Sequence, residues 1–169
     1  MSSSKYNDEL YIAVYATGIL GQYSYAFHVP RGSGDEVVTK RYRVITGRRG
    51  FWEYDEDLLG SEKLKDLIIL ARTGEIVRSR HDLESALREV PILQGKRQDP
   101  RWNTRTWMRD CLAQLARDRV LAIDAVTSWD DIEERTKPIK ARHVLNGIVK
   151  KKHGVARFDL VTQRALKNC

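Results

Sequence analysis

The stretch ELYIAVYAT (9–17), followed after Gly18 and Gly21 by QYSYAFHVP (22–30), decides the fold. Both segments are rich in β-branched and aromatic residues, which suit a pleated, half-buried surface. The glycines between them suit a tight reversal, so the pair predicts a β-hairpin. Downstream, RGSGDE (31–36) is a Gly-rich turn, and VVTKRYRVIT (37–46) alternates as a third strand that stops at GRRG (47–50). The three strands make a meander, which FWEYDEDLL (51–59) extends.

Further along, DLIILARTG (66–74) has the short continuous apolar run of a buried element; periodicity alone does not assign it, and we read it as a strand. From residue 81 the period changes. Leu83, Ala86, Leu87 and Val90 recur at helical spacing before Pro91 stops the helix. Between 103 and about 120, Trp107, Met108, Cys111, Leu112, Leu115 and Ala116 form one apolar stripe, with Asn103 or Thr104 as the N-cap. A further helix begins near Ser128 with Asp130, Asp131 and Glu133 in its first turn, and Pro138 is expected to separate it from a last helix. The fold class is α+β, an antiparallel β-meander packed against helices.

The 169 residues, 41% hydrophobic and 31% charged, suit one soluble domain with a real core. No apolar run approaches the ~18 residues of a bilayer span, and MSSSKYNDEL lacks the pattern of a secretory signal, so a cytoplasmic chain is expected. Cys111 and Cys169 form no disulfide framework, and His28, His81, His143 and His153 lie in separate segments without a metal-ligand spacing. Neither a metal nor a cofactor is expected. There is no G-x-G-x-x-G, P-loop or G-x-S-x-G, which sets aside the familiar nucleotide-binding and serine-hydrolase classes.

The charge is unevenly placed. Residues 136–169 carry nine Lys and Arg against one acid, and residues 1–135 are nearly balanced. This divides the chain into an α+β core domain (1–135) and a basic C-terminal helix or tail (136–169), either part of that domain or an appendage. Lys137, Lys140, Arg142, Lys150, Lys151 and Lys152 would suit nucleic acid, an acidic protein, a membrane surface or nuclear import; the blander reading is a solvated end.

Two stretches carry a more specific resemblance: YSYAFHVPR (23–31) with TKRYRV (39–44), and PILQGKRQDPRWNTRTWMRDCLAQL (91–115). They resemble a family of small fungal proteins of unknown function in which a strand reading roughly Y-H-Y/W-A-L and a later Y-H-V precede a helix opening with N-C-x-T-W. That layout looks like a permuted papain-like fold, and the resemblance covers roughly residues 9–135. Such a site works by holding a cysteine at a helix N-terminus, where the dipole favours its thiolate, beside a histidine that takes its proton.

The resemblance puts the two histidines at Ser24 and Arg43 and the cysteine at Thr104, so all three have changed. Thr104 does not ionise near neutrality, Ser24 is no base, and Arg43 stays protonated. His28 shares Ser24's strand face but lies ~13 Å along it, and Cys111 sits ~10 Å beyond the helix start, too far for direct replacement. Each residue also has a plainer role: Thr104 as a cap, Arg43 as a solvated strand residue, His28 as a structural residue, Cys111 and Trp107 as core. If Arg43 faces Thr104 across a cleft, the hydroxyls and guanidinium would suit an anionic small molecule. The run Glu53, Asp55, Glu56 and Asp57 reads as an exposed loop rather than a catalytic carboxylate pair.

The candidate cleft is thus Ser24, Arg43, Thr104, His28, Asn103 and Trp107. The leading expectation is a non-catalytic descendant of a permuted papain-like enzyme, kept as a binding or scaffolding module. An enzyme using the same cleft without a thiol, such as a cyclase or isomerase, and nucleic-acid or acidic-partner binding through the tail are the rivals.

Overall fold

The hairpin that opens the sequence is β1 (Glu9–Ala16) and β2 (Tyr23–Arg31), paired antiparallel from Tyr11↔His28 to Ala16↔Tyr23 in a computed structural model that describes residues 8–32, 38–60, 64, 66–93, 102–148 and 154–165. Gly18 and Gly21 take φ +86° and +81° in its turn, a region L side chains rarely adopt. β3 (Val38–Thr46) and β4 (Trp52–Leu59) continue the antiparallel meander on one side of the hairpin. β5 (Leu67–Glu75) lies on the other side, antiparallel to β1. Its unbroken apolar run reflects that position inside the sheet, with neighbours on both edges.

The tail holds strands that periodicity does not reveal. β6 (Ala156–Asp159) pairs parallel with β5, and the two-residue β7 (Arg164–Ala165) pairs antiparallel with β6. The seven strands run β4-β3-β2-β1-β5-β6-β7, so the meander is part of a mixed sheet.

One face of the sheet carries the helices. α1 (Arg80–Glu89) opens on a capping box in which the Ser79 hydroxyl accepts from the Asp82 N–H and the Asp82 carboxylate accepts from the Ser79 N–H. α2 (Thr104–Arg117) buries Trp107, Met108, Cys111, Leu112 and Leu115 against Leu10, Ile12, Val14, Tyr25, Phe27 and Tyr42. Each such side chain contributes about 1.5–3 kcal/mol by leaving water.

α3 (Trp129–Ile148) corrects the expected break at Pro138, which lies inside one continuous helix. Proline removes the bond to the carbonyl of Glu134, but that side of α3 is solvent-facing, with Glu134 and Lys137 about three-quarters exposed, so water can satisfy the freed group. The helix is also tied down on both sides of the proline. Arg135 donates to the Leu160 carbonyl at 2.6 Å and Tyr23 donates to the Lys140 carbonyl at 3.1 Å. The boundary at residue 135 therefore falls within α3.

The acidic run is a strand, not a loop. Asp55 and Asp57 pair with Arg43 and Arg41 on one face of β4, and Glu56 holds Lys40 and Arg88 on the other. Alternation along β4 spaces carboxylates that crowd together in sequence.

A cleft between two parted strands

β2 and β3 are hydrogen-bonded only from Phe27↔Tyr42 to Arg31↔Val38, yet each continues for four more residues, β2 beside β1 to Tyr23 and β3 beside β4 to Thr46. Over residues 23–26 and 43–46 the two strands part. The gap opens at the sheet end that carries both hairpin turns, and it forms a cavity of about 500 Å³. Its wall includes Ser24, Arg43, Asn103 and Thr104, together with Thr17, Gln22, Tyr23, Tyr25, Thr46, Trp52 and Arg105.

The start of α2 is placed here by its cap. The Asn103 side chain accepts from the N–H groups of Arg105 at 2.9 Å and Thr106 at 3.2 Å, which makes Asn103 the cap and Thr104 the first helical residue. Those amides are thereby engaged. Alternation puts Ser24 and Arg43 on the sheet face of Ala26 and His28, whereas Tyr25, Phe27, Tyr42 and Val44 face α2. Ser24 and Arg43 thus reach the same cavity as Thr104 through the gap between the strands.

The cations of the cleft have acidic partners, but Glu133 is shared between Arg105 and Lys140. Arg43 Nε donates to Asp55 at 2.7 Å, and Arg105 holds Glu133 at 2.6 Å. Each guanidinium thus has a carboxylate partner, and the Arg105 and Thr106 amides are capped, which lowers the pull of the site on a free anion. Among the described residues no His, Cys, Lys, Asp or Glu lines the cavity.

Two residues expected in the cleft lie elsewhere. Trp107 is fully buried, its ring 5.9 Å from Phe27 and 6.1 Å from Tyr54, because the α2 stripe points into the core. His28 is 2% exposed, and its Nε2 lies 2.5 Å from the Tyr15 hydroxyl, with the Arg41 guanidinium over the Tyr15 ring. Burial, assisted by Arg41, pushes the His28 pKa down to about 3. It is a neutral, inaccessible histidine. Cys111 is equally inert: burial pushes its thiol pKa up.

Of the tail's cations, Lys140 is turned inward. Its Nζ donates to the Tyr25 hydroxyl at 3.0 Å and to Glu133 at 2.7 Å, and lies 5.1 Å from the Tyr25 ring centre. It braces the back of the cleft wall instead of offering charge to a partner, because its ammonium lies over the rings of Tyr23 and Tyr25. Lys137 and Arg142 are exposed on α3, and Lys150, Lys151 and Lys152 lie outside the described residues. The aromatic walls Tyr23, Tyr25 and Trp52 escaped sequence reasoning because residue type alone marks them as core. Pairing β3 with β4 around the 47–51 turn would have set Trp52 opposite Thr46 at the sheet end.

Fold and site together define a class: an α+β domain with a split meander and a cleft of hydroxyl, amide and apolar side chains at a helix start. The chain belongs to DUF6914, a family of unknown function, whose profile matches residues 7–166. No curated protein and no solved structure matches it. Among the described residues no cluster of three or more His, Cys, Asp or Glu could hold a metal ion, and no helix is long and apolar enough to cross a membrane.

Proposed function

We propose that this chain is a non-catalytic binding module of the cytoplasm or nucleus, built on a permuted papain-like plan akin to that of small fungal proteins, with the cleft between β2 and β3 as its ligand site. The lining supports this reading. Its described residues offer hydroxyls, amides and aromatic faces but none suited to be a nucleophile's base, and general acid–base or thiol chemistry needs one within hydrogen-bond reach. The papain-like plan is supported by Ser24, Arg43 and Thr104 all lining one cavity, the positions where the resemblance puts two histidines and a cysteine. At about 500 Å³ the cavity is within the size range of small-ligand and peptide sites.

The test is a fragment titration followed through backbone amide shifts. Hits should cluster on residues 23–26, 43–46 and 103–105, should not be turned over, and should be lost in Thr104→Trp, which fills the helix side of the cavity. Hits that map elsewhere, or that survive Thr104→Trp, would contradict the reading. The rival enzyme in the same cleft would show as turnover of a bound fragment.

A further inference from the structure

We infer that the ligand of this cleft is an extended, uncharged segment of polypeptide that inserts between β2 and β3 and completes the sheet where they part; the inference rests on the binding-module reading above. Its main support is the backbone. In a strand, successive peptide groups point alternately to the two sides, so residues 23–26 and 43–46, each bonded to one neighbour, turn half of their N–H and C=O groups toward the gap. Among the described residues no backbone bond crosses it beyond Phe27↔Tyr42. Two facing rows of donors and acceptors match the main chain of a third strand, the mode of recognition used when peptides add to sheet edges.

Length and charge define the occupant further. At about 3.3 Å per residue, the parted segments span roughly 13 Å, enough for four residues of an extended peptide. Because β2 and β3 are antiparallel to each other, the inserted segment runs parallel to one and antiparallel to the other. The apex at Phe27–Tyr42 stops it from going deeper. Asp55 pairs with Arg43, Glu133 is shared by Arg105 and Lys140, and every other described lining residue is uncharged, which favours a neutral peptide over a charged one. Thr46 and Ser24 offer hydroxyls, and Trp52 and Tyr25 offer faces, to alternate side chains of a neutral one.

The experiment uses two pools of N-acetylated, C-amidated hexapeptides of neutral composition, identical except that alternate amides of the second are N-methylated. Amide hydrogen exchange of the full chain is read with each. The unmethylated pool should slow exchange of gap-facing amides in residues 23–26 and 43–46 by about tenfold or more, as new backbone bonds require, and the methylated pool should not. Equal protection by both pools, or stronger protection by a third, acidic pool of the same length, would overturn the inference. If neither pool protects these amides while uncharged fragments still shift them, the peptide inference fails and the binding-module reading stands. If nothing binds the cleft, both fail.

Discussion

Acidification should destabilise this protein through His28 in a way that a single substitution can isolate. Neutral His28 places Nε2 beside the Tyr15 hydroxyl, and Tyr15 in turn lies under Arg41, which is paired with Asp57. Protonation would add a second buried cation to this cluster. The folded pKa of about 3 lies below the ordinary value of 6.5, so between these limits the unfolded chain holds the extra proton. The stabilisation is complete above pH 6.5 and is lost as pH falls toward 3. At about 1.4 kcal/mol per pH unit, the loss from pH 6 to pH 4 is about 2–3 kcal/mol. Urea unfolding of the wild type and His28→Gln at pH 7, 6, 5 and 4 measures it, since carboxylate contributions cancel in the difference. The wild type should lose that amount relative to the variant across the window. Parallel pH profiles, or a histidine titrating near 6.5 in the folded protein, would refute the reasoning.

Gly74→Ala should destabilise by about 1–3 kcal/mol, because its Cβ would lie 2.4 Å from the Ala125 Cβ and 2.9 Å from the Ala125 Cα, in a loop bonded to β5 through Val126 N–H to the Thr73 carbonyl; partial rescue by Ala125→Gly in equilibrium unfolding checks the contact. Asn103→Ala removes the α2 cap and should cost about 1 kcal/mol, lowering the melting temperature by a few degrees, and Asn103→Asp should retain stability because its carboxylate caps equally and suits the dipole. Thr104→Cys should create a thiol more reactive toward iodoacetamide than buried Cys111. Adding Ser24→His and Arg43→His should lower its apparent pKa further, and identical pH–rate profiles with and without the histidines would contradict the papain-like plan.

Local pattern made most of the scaffold legible. The β-branched and aromatic enrichment of 9–17, the alternation in 37–46 and the apolar stripe from Trp107 to Leu115 are local signals that tertiary contacts reinforce. β6 was hidden because ARFD has no such period; it becomes a strand only through parallel pairing with β5, more than eighty residues earlier. Pro138 misleads for the opposite reason: a strong local breaker sits on the exposed side of a helix anchored through Arg135 and Lys140. At the cleft, Ser24, Arg43, Asn103 and Thr104 line the cavity while His28 and Trp107 do not, and the charge state of the lining was not legible. The β3–β4 hairpin register sets Arg43 opposite Asp55, but nothing in the chain order indicates that Lys140 is drawn onto Tyr25, because that depends on how α3 packs against β2. The parting of β2 from β3 is likewise a matter of register, invisible to hydrophobic pattern.

The most direct measurement is calorimetric titration of the tightest uncharged cleft ligand against the wild type, Thr104→Trp and His28→Gln at pH 7. Binding in the gap between β2 and β3 predicts a loss of affinity of about tenfold or more, over 1.4 kcal/mol, in Thr104→Trp and little change in His28→Gln. Undiminished binding to Thr104→Trp, with loss in His28→Gln, would place the site elsewhere and contradict the account.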